Sequence, residues 1–238
     1  MIYYDFMNFV LFLLSLGCGG RIGKSEVIFT QAPQEGETLD VWIVPLRWEG
    51  NEHTVAYRLG VDGKWSEWME KEQDTLYLGD GYHTVSLVGK NLMNEPSDTE
   101  KISFWVDAIK GPALWISPRY AVLTVDSIFR IKIKLQEIKG AVNFRILLSW
   151  DERVLTVESV SPLWENLVYL TSSTPGTLEI NAGLLEGTIE TDTSLFLLSF
   201  NVLTLLPDTL SLEGSEIKDE ENEEIPVSLY ECIIGGGK

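Results

Sequence analysis

With 238 residues and 45% hydrophobic content, the chain can form two domains with buried cores and is too apolar to remain disordered. Its 18 Lys and Arg against 36 Asp and Glu give a net charge of −18, which repels phosphate backbones and anionic membrane surfaces and excludes nucleic acid as a partner.

The first element is the apolar run Phe6 to Gly17, which ends on Cys18-Gly19-Gly20. It is shorter than the roughly 20 residues of a membrane-spanning helix and matches the roughly 7–15 of a secretory signal core, so an extracytoplasmic protein is expected to follow. The ending Ser15-Leu16-Gly17-Cys18 resembles a bacterial lipoprotein signal, although Ser15 and Leu16 stand in reversed order and the leader carries Asp5 with no Lys or Arg. That resemblance implies a signal peptide over 1–17, lipid attachment at Cys18, a tether over 18–25 and a location in the cell envelope. Acylation of Cys18 would leave Cys232 without a mate, so no disulfide is expected and apolar packing must hold the fold.

From Val27 onward the dominant signal is alternation with period 2, in short runs separated by Gly, Pro, Asn and Asp. This predicts an all-β chain of two β-sandwich domains. In Phe129 to Gln136 every odd position is apolar and every even one polar, the pattern of a strand with one buried face. The same alternation recurs at Phe144, Ile146, Leu148 and Trp150, at Leu178, Ile180 and Ala182, and at Phe196, Leu198, Phe200 and Val202. No long stretch has the 3.6 period of a helix.

A Gly111-Pro112 pair follows the expected strand Ile102 to Val106 and precedes the apolar Leu114-Trp115-Ile116, so residues 108–111 are expected to be a linker between modules 26–107 and 112–236. In the first module Asp62-Gly63 and Gly79-Asp80-Gly81 are both expected to be hairpin turns, and Asn91 to Ser97 a closing loop. With these features the module resembles the bacterial immunoglobulin-like or fibronectin type III-like spacers of surface proteins, which implies no chemistry. Trp65 and Trp68 are candidates for stacking on a sugar ring, as are Trp164 and Tyr169 in the second module. Tryptophans three apart on a twisted hairpin more commonly cover a core edge.

The second module runs from Gly140-Ala141-Val142-Asn143-Phe144 through Trp150-Asp151 into Val154-Leu155 and a further strand. It continues with Asn181-Ala182-Gly183-Leu184 and ends with an acidic turn, Asp219 to Glu224, followed by Ile225-Pro226-Val227. In this order the module resembles the cohesin domain, and the resemblance implies a jelly-roll sandwich that binds proteins, with a dockerin-bearing protein as partner. Asp151 is expected to cap the turn after its strand while Val154 and Leu155 open the next buried run. If Phe144, Ile146, Leu148 and Trp150 face inward, Asn143, Arg145, Leu147 and Ser149 face outward. By the resemblance, the candidate binding face is Asn143, Arg145 and Leu147, joined by Glu179 and Asn181 of a neighbouring strand. Asn143 falls where cohesins often have Asn, and Arg145 replaces a residue that is commonly acidic there.

Chemistry is otherwise sparse. The two histidines, His53 and His83, lie near no cysteine or carboxylate set with metal-ligand spacing, and the chain lacks G-x-S-x-G, a P-loop, G-x-G-x-x-G and H-E-x-x-H. No enzyme, metal site or cofactor is expected. The run Asp219 to Glu224 has carboxylates enough to hold Ca²⁺ weakly but not the spacing that wraps the ion. The sequence therefore points to a membrane-anchored protein that binds another protein, with polysaccharide binding by exposed aromatics as the alternative.

Overall fold

The computed structural model describes residues 23–235, and every regular element among them is a β-strand. The expected signal segment and its Cys18 lie outside the described residues. The chain forms two compact units: the smaller takes residues up to 37, 45–75 and 83–104, the larger 38–44, 76–82 and 105 onward.

The first eight strands are β1 (Val27–Gln31), β2 (Thr38–Leu39), β3 (Ile43–Gly50), β4 (Ala56–Val61), β5 (Lys64–Trp65), β6 (Gln73–Tyr77), β7 (Gly81–Lys90) and β8 (Glu100–Val106). They build a three-stranded sheet in the order β1-β3-β6 and a five-stranded sheet in the order β2-β8-β7-β4-β5. Alternation decides their faces: in β3, Val44, Leu46 and Trp48 are buried while Ile43, Pro45, Arg47 and Glu49 are exposed. Asp62 and Gly63 join β4 to β5 with φ of 49° and 80°, the two left-handed residues that a tight two-residue hairpin demands. The Asn91–Ser97 loop is organised by Asn91, which is fully buried. Its Oδ1 accepts the Met93 and Glu95 N–H groups at 3.0 Å each, and its Nδ2 donates to Glu95 Oε2 at 2.9 Å. A buried amide is tolerated here because its polar atoms find partners.

The Gly79-Asp80-Gly81 expectation is corrected. β6 and β7 belong to different sheets, so this turn carries the chain between sheets and closes no hairpin. Asp80 explains its stability: its two carboxylate oxygens accept the Ala108 and Ile109 N–H groups at 3.0 Å each. Ala108 and Ile109, at the start of the segment expected to link the modules, are buried in the larger unit, and the Lys110 N–H donates to the Tyr230 hydroxyl at 2.8 Å.

The remaining strands are β9 (Ala113–Ser117), β10 (Tyr120–Val122), β11 (Ile128–Gln136), β12 (Asn143–Ser149), β13 (Leu155–Pro162), β14 (Leu167–Thr174), β15 (Thr177–Leu184), β16 (Thr193–Val202), β17 (Asp208–Leu210), β18 (Glu216–Lys218), β19 (Ser228–Tyr230) and β20 (Cys232–Gly235). Two sheets, β13-β16-β11-β9-β19 and β14-β15-β12-β18, face each other across one apolar core, and β10-β20-β17 form a third. Phe129, Ile131, Ile133 and Leu135 of β11 meet Phe144, Ile146, Leu148 and Trp150 of β12 in that core, as the alternation predicts. In β16 the pairing steps from Phe196 opposite Ile133 to Ser194 opposite Lys134. Leu195 is therefore the extra residue of a bulge, which is how both it and Phe196 become fully buried.

Trp150 packs edge-on to Phe200, with ring centres 5.2 Å apart, and donates its indole N–H to the Leu155 carbonyl at 2.8 Å. Asp151 caps the following turn by accepting the Arg153 N–H at 2.9 Å, and Val154 and Leu155 enter the core. Cys232 of β20 is a free, fully buried thiol pushed up to about 12, chiefly by burial.

Two outcomes follow from this packing. Phe196→Ala is expected to lower stability by about 3–5 kcal/mol in a urea titration, and Lys132→Ala, on the wet face of β11, by no more than ~0.5 kcal/mol. The Arg153 side chain, with its backbone N–H, holds the Asp151 carboxyl down at about 2, so the stabilisation is complete above the unfolded value of ~3.9 and lost as pH falls through about 2. Arg153→Met should move the Asp151 midpoint upward in an NMR titration and flatten the acid limb of the stability curve.

Candidate functional site

The register of sheet β14-β15-β12-β18 generates its outward face row by row. Asn143 of β12 lies opposite Gly183 of β15 and Lys218 of β18; Arg145 lies opposite Asn181 and Glu216; Leu147 lies opposite Glu179. From edge strand β14, Val168 joins the first row through Gly183, Leu170 the second through Asn181, and Ser172 the third through Glu179. Residues paired directly across antiparallel strands share a face, so the five residues expected to form the face, Asn143, Arg145, Leu147, Glu179 and Asn181, are brought together.

Arg145 organises the centre. Its Nε donates to Glu179 Oε1 at 2.9 Å and its Nη1 to Glu216 Oε1 at 3.3 Å, while Asn181 Nδ2 donates to the same Glu179 oxygen at 3.1 Å. The Arg145 hydrogen bond, with Asn181 second, holds the Glu179 carboxyl below its ordinary range, and Glu179 raises Arg145 in return. These groups are solvated, and exposed ion pairs contribute little to stability, so the network positions side chains more than it stabilises the fold. Gly183 leaves the space for this packing: a Cβ there would stand 2.9 Å from Asn143 Oδ1. A shallow depression of about 290 Å³ opens between Asn143, Arg145, Asn181, Glu216 and Lys218. Beside it stand two exposed apolar side chains, Leu170 at 78% and Val168 at 49% of full exposure. Leu147 is half covered, lying near the turn at Gly214.

Val168, Leu170, Glu216 and Lys218 are members of this face that sequence reasoning missed. The β14 stretch Leu167-Val168-Tyr169-Leu170 carried a signal, since four consecutive apolar residues in a strand covered on one face only put two of them in water. Glu216 and Lys218 come from a three-residue strand too short to show a period.

The four sugar-contact candidates are divided between the two units. Trp65 and Trp68 lie in the smaller unit, where the Arg58 guanidinium sits 4.5 and 5.2 Å from their ring centres and Lys90 lies 4.7 Å from that of Trp68. Trp164 and Tyr169 pack against the core of the larger unit, Tyr169 edge-on to Phe196 and donating its hydroxyl to the Val160 carbonyl at 3.1 Å. Among the described residues no group of three or more His, Cys, Asp or Glu forms a cluster able to hold a metal ion. The acidic run is a closed turn, in which Asp219 Oδ1 accepts the Glu223 N–H at 2.8 Å and Asn222 takes a φ of 65°. His83 Nδ1 lies 2.8 Å from Asp62 Oδ2, and His53 Nε2 lies 3.7 Å from Glu52.

No family model matches the chain, and no curated protein matches it. Solved structures similar to part of it include a non-cellulosomal cohesin from the archaeon Archaeoglobus fulgidus, 20% identical, covering 51% of this chain and 88% of that one at a TM-score of 0.46. The sixth cohesin of scaffoldin B from Acetivibrio cellulolyticus, solved in complex with a Cel5 dockerin mutant, is 17% identical over 53% of this chain and 99% of that one, at 0.46. A type II cohesin domain from the cellulosome of the same organism is 15% identical over 51% and 94%, also at 0.46.

If Arg145 is what depresses Glu179, Arg145→Met should raise the Glu179 carboxyl midpoint toward the ordinary glutamate range in an NMR titration. The Asp151 midpoint serves as an internal reference and should not move.

Proposed function

We propose that this chain is a non-catalytic, lipid-anchored extracytoplasmic protein whose larger unit binds another protein through the outward face of β14-β15-β12-β18. The observation that carries the reading is the composition of that face: a charged and amide centre, Arg145 with Glu179, Asn181 and Glu216, bordered by the exposed Leu170 and Val168. Such a mixture suits a protein partner, whose apolar side chains cover the leucine and valine while its polar groups exchange hydrogen bonds with the centre. The sequence resemblance to cohesins makes a calcium-loaded, dockerin-bearing protein the partner of choice. Arg145, in place of a commonly acidic residue, requires an acidic or carbonyl-rich counterpart.

In this reading residues 26–107 serve as an immunoglobulin-like or fibronectin III-like spacer, and an acylated Cys18 provides the membrane tether. One acyl chain alone gives only marginal binding, so stable anchoring requires the multiple chains of a lipoprotein.

The test uses the full chain, immobilised and exposed to proteins secreted by the source cell. A defined set should be retained in Ca²⁺, released by chelator, and bound about tenfold or more weakly by the double variant Arg145→Glu/Leu170→Asp, which should unfold at an unchanged urea concentration. Equal retention by wild type and variant would sink the assignment of this face. Incorporation of labelled palmitate, abolished in Cys18→Ala, tests the anchor separately.

A further inference from the structure

A second site is built around Arg119, between β9 and β10. Its side chain is 9% exposed, with the guanidinium carbon 4.4 Å from the Trp42 ring centre and 5.0 Å from that of Tyr230. Nε and Nη1 are buried without a hydrogen-bond partner, and among the described residues the group makes no ion pair. Asp80 influences it through space, but both Asp80 oxygens are committed to the Ala108 and Ile109 N–H groups. Burial lowers the proton affinity of Arg119, yet a guanidinium remains charged. Aromatic faces offset part of the desolvation; they do not supply the in-plane acceptors that its N–H groups need.

Arg119 lines a cavity of about 460 Å³ together with Trp42, Tyr77, Asp80, Trp115 and Lys134, all within the larger unit. Lys134 is a second cation, held 4.4 Å from the centre of the Trp115 ring and making no ion pair among the described residues. Trp115 Nε1 is buried without an acceptor. Tyr77 stacks on Tyr120 with ring centres 3.9 Å apart and planes 9° from parallel, which makes a firm aromatic wall. Among the described residues the cavity thus gathers two cations without an ion pair, one indole donor without an acceptor and flat apolar surfaces, in a chain whose net charge is −18.

We infer that this cavity is a binding site for a small organic carboxylate, whose planar head is received by Arg119 and Lys134 and whose ring lies against the aromatic wall. A carboxylate supplies the full negative charge and the acceptor oxygens that Arg119 and Lys134 are not given by neighbouring side chains. Its single charge suits a cavity that also contains Asp80, where a doubly charged anion would meet stronger repulsion.

The full chain is titrated at low salt, and the indole N–H signals of Trp42 and Trp115, assigned from Trp42→Phe and Trp115→Phe, are followed by NMR. Galacturonate and benzoate are the probes, with galactose and benzyl alcohol as neutral counterparts. Saturable shifts with the acids alone, weakened about fivefold to tenfold by Lys134→Gln and abolished by Arg119→Gln, are expected for the loss of charge-assisted contacts. Tighter binding of galacturonate would point to an acidic saccharide as the source of the carboxylate, and tighter binding of benzoate to a free aromatic acid. Should Arg119→Gln fail to fold, Lys134→Gln alone decides. Equal shifts with acids and neutral counterparts, no saturable shift, or indifference to Lys134→Gln would overturn the inference.

Discussion

The proposed protein-binding face of the larger unit depends on which way β12 faces. Phe144, Ile146, Leu148 and Trp150 are committed to the core, and period 2 then obliges Asn143, Arg145 and Leu147 to stand in water. A slip of one residue would bury a guanidinium and expose two aromatic rings, so the register is enforced by a penalty far larger than any contact on the outer face. The binding surface is in this sense a by-product of core packing. Its weak ion pairs do not have to hold it in place.

The strands of the larger unit were legible because alternation is a local signal. Phe129 to Gln136 and Phe144 to Trp150 announced their buried faces without knowledge of any partner strand. That Glu179 and Asn181 share the outward face of β12 is not a local signal: the resemblance to cohesins implied it, and the register sets Asn181 opposite Arg145 and Glu179 opposite Leu147. Turn chemistry was less informative. Gly79-Asp80-Gly81 supplies the conformational freedom that a hairpin uses, but a chain crossing from one sheet to another uses it equally. What distinguishes the two is Asp80's grip on Ala108 and Ile109, 28 and 29 residues away.

The Arg119 cavity was invisible in the sequence for a related reason. Trp42, Tyr77, Arg119 and Tyr230 come from four distant stretches, and none of these residues is unusual in its own neighbourhood. Trp65 and Trp68, conspicuous as a pair, turn out to be flanked by Arg58 and Lys90. In both places aromatic rings keep company with cations, although carboxylates outnumber basic groups two to one. Rings can hold a cation while leaving its charge uncancelled, which a carboxylate cannot do.

The buried sulfur of Cys232 has a consequence for handling the protein in air. With no solvent access and a proton affinity well above that of an ordinary thiol, it offers almost no thiolate to oxidants while β20 stays paired with β10 and β17. Covalent dimers bridged through this atom therefore mark molecules in which β20 has come away from its neighbours.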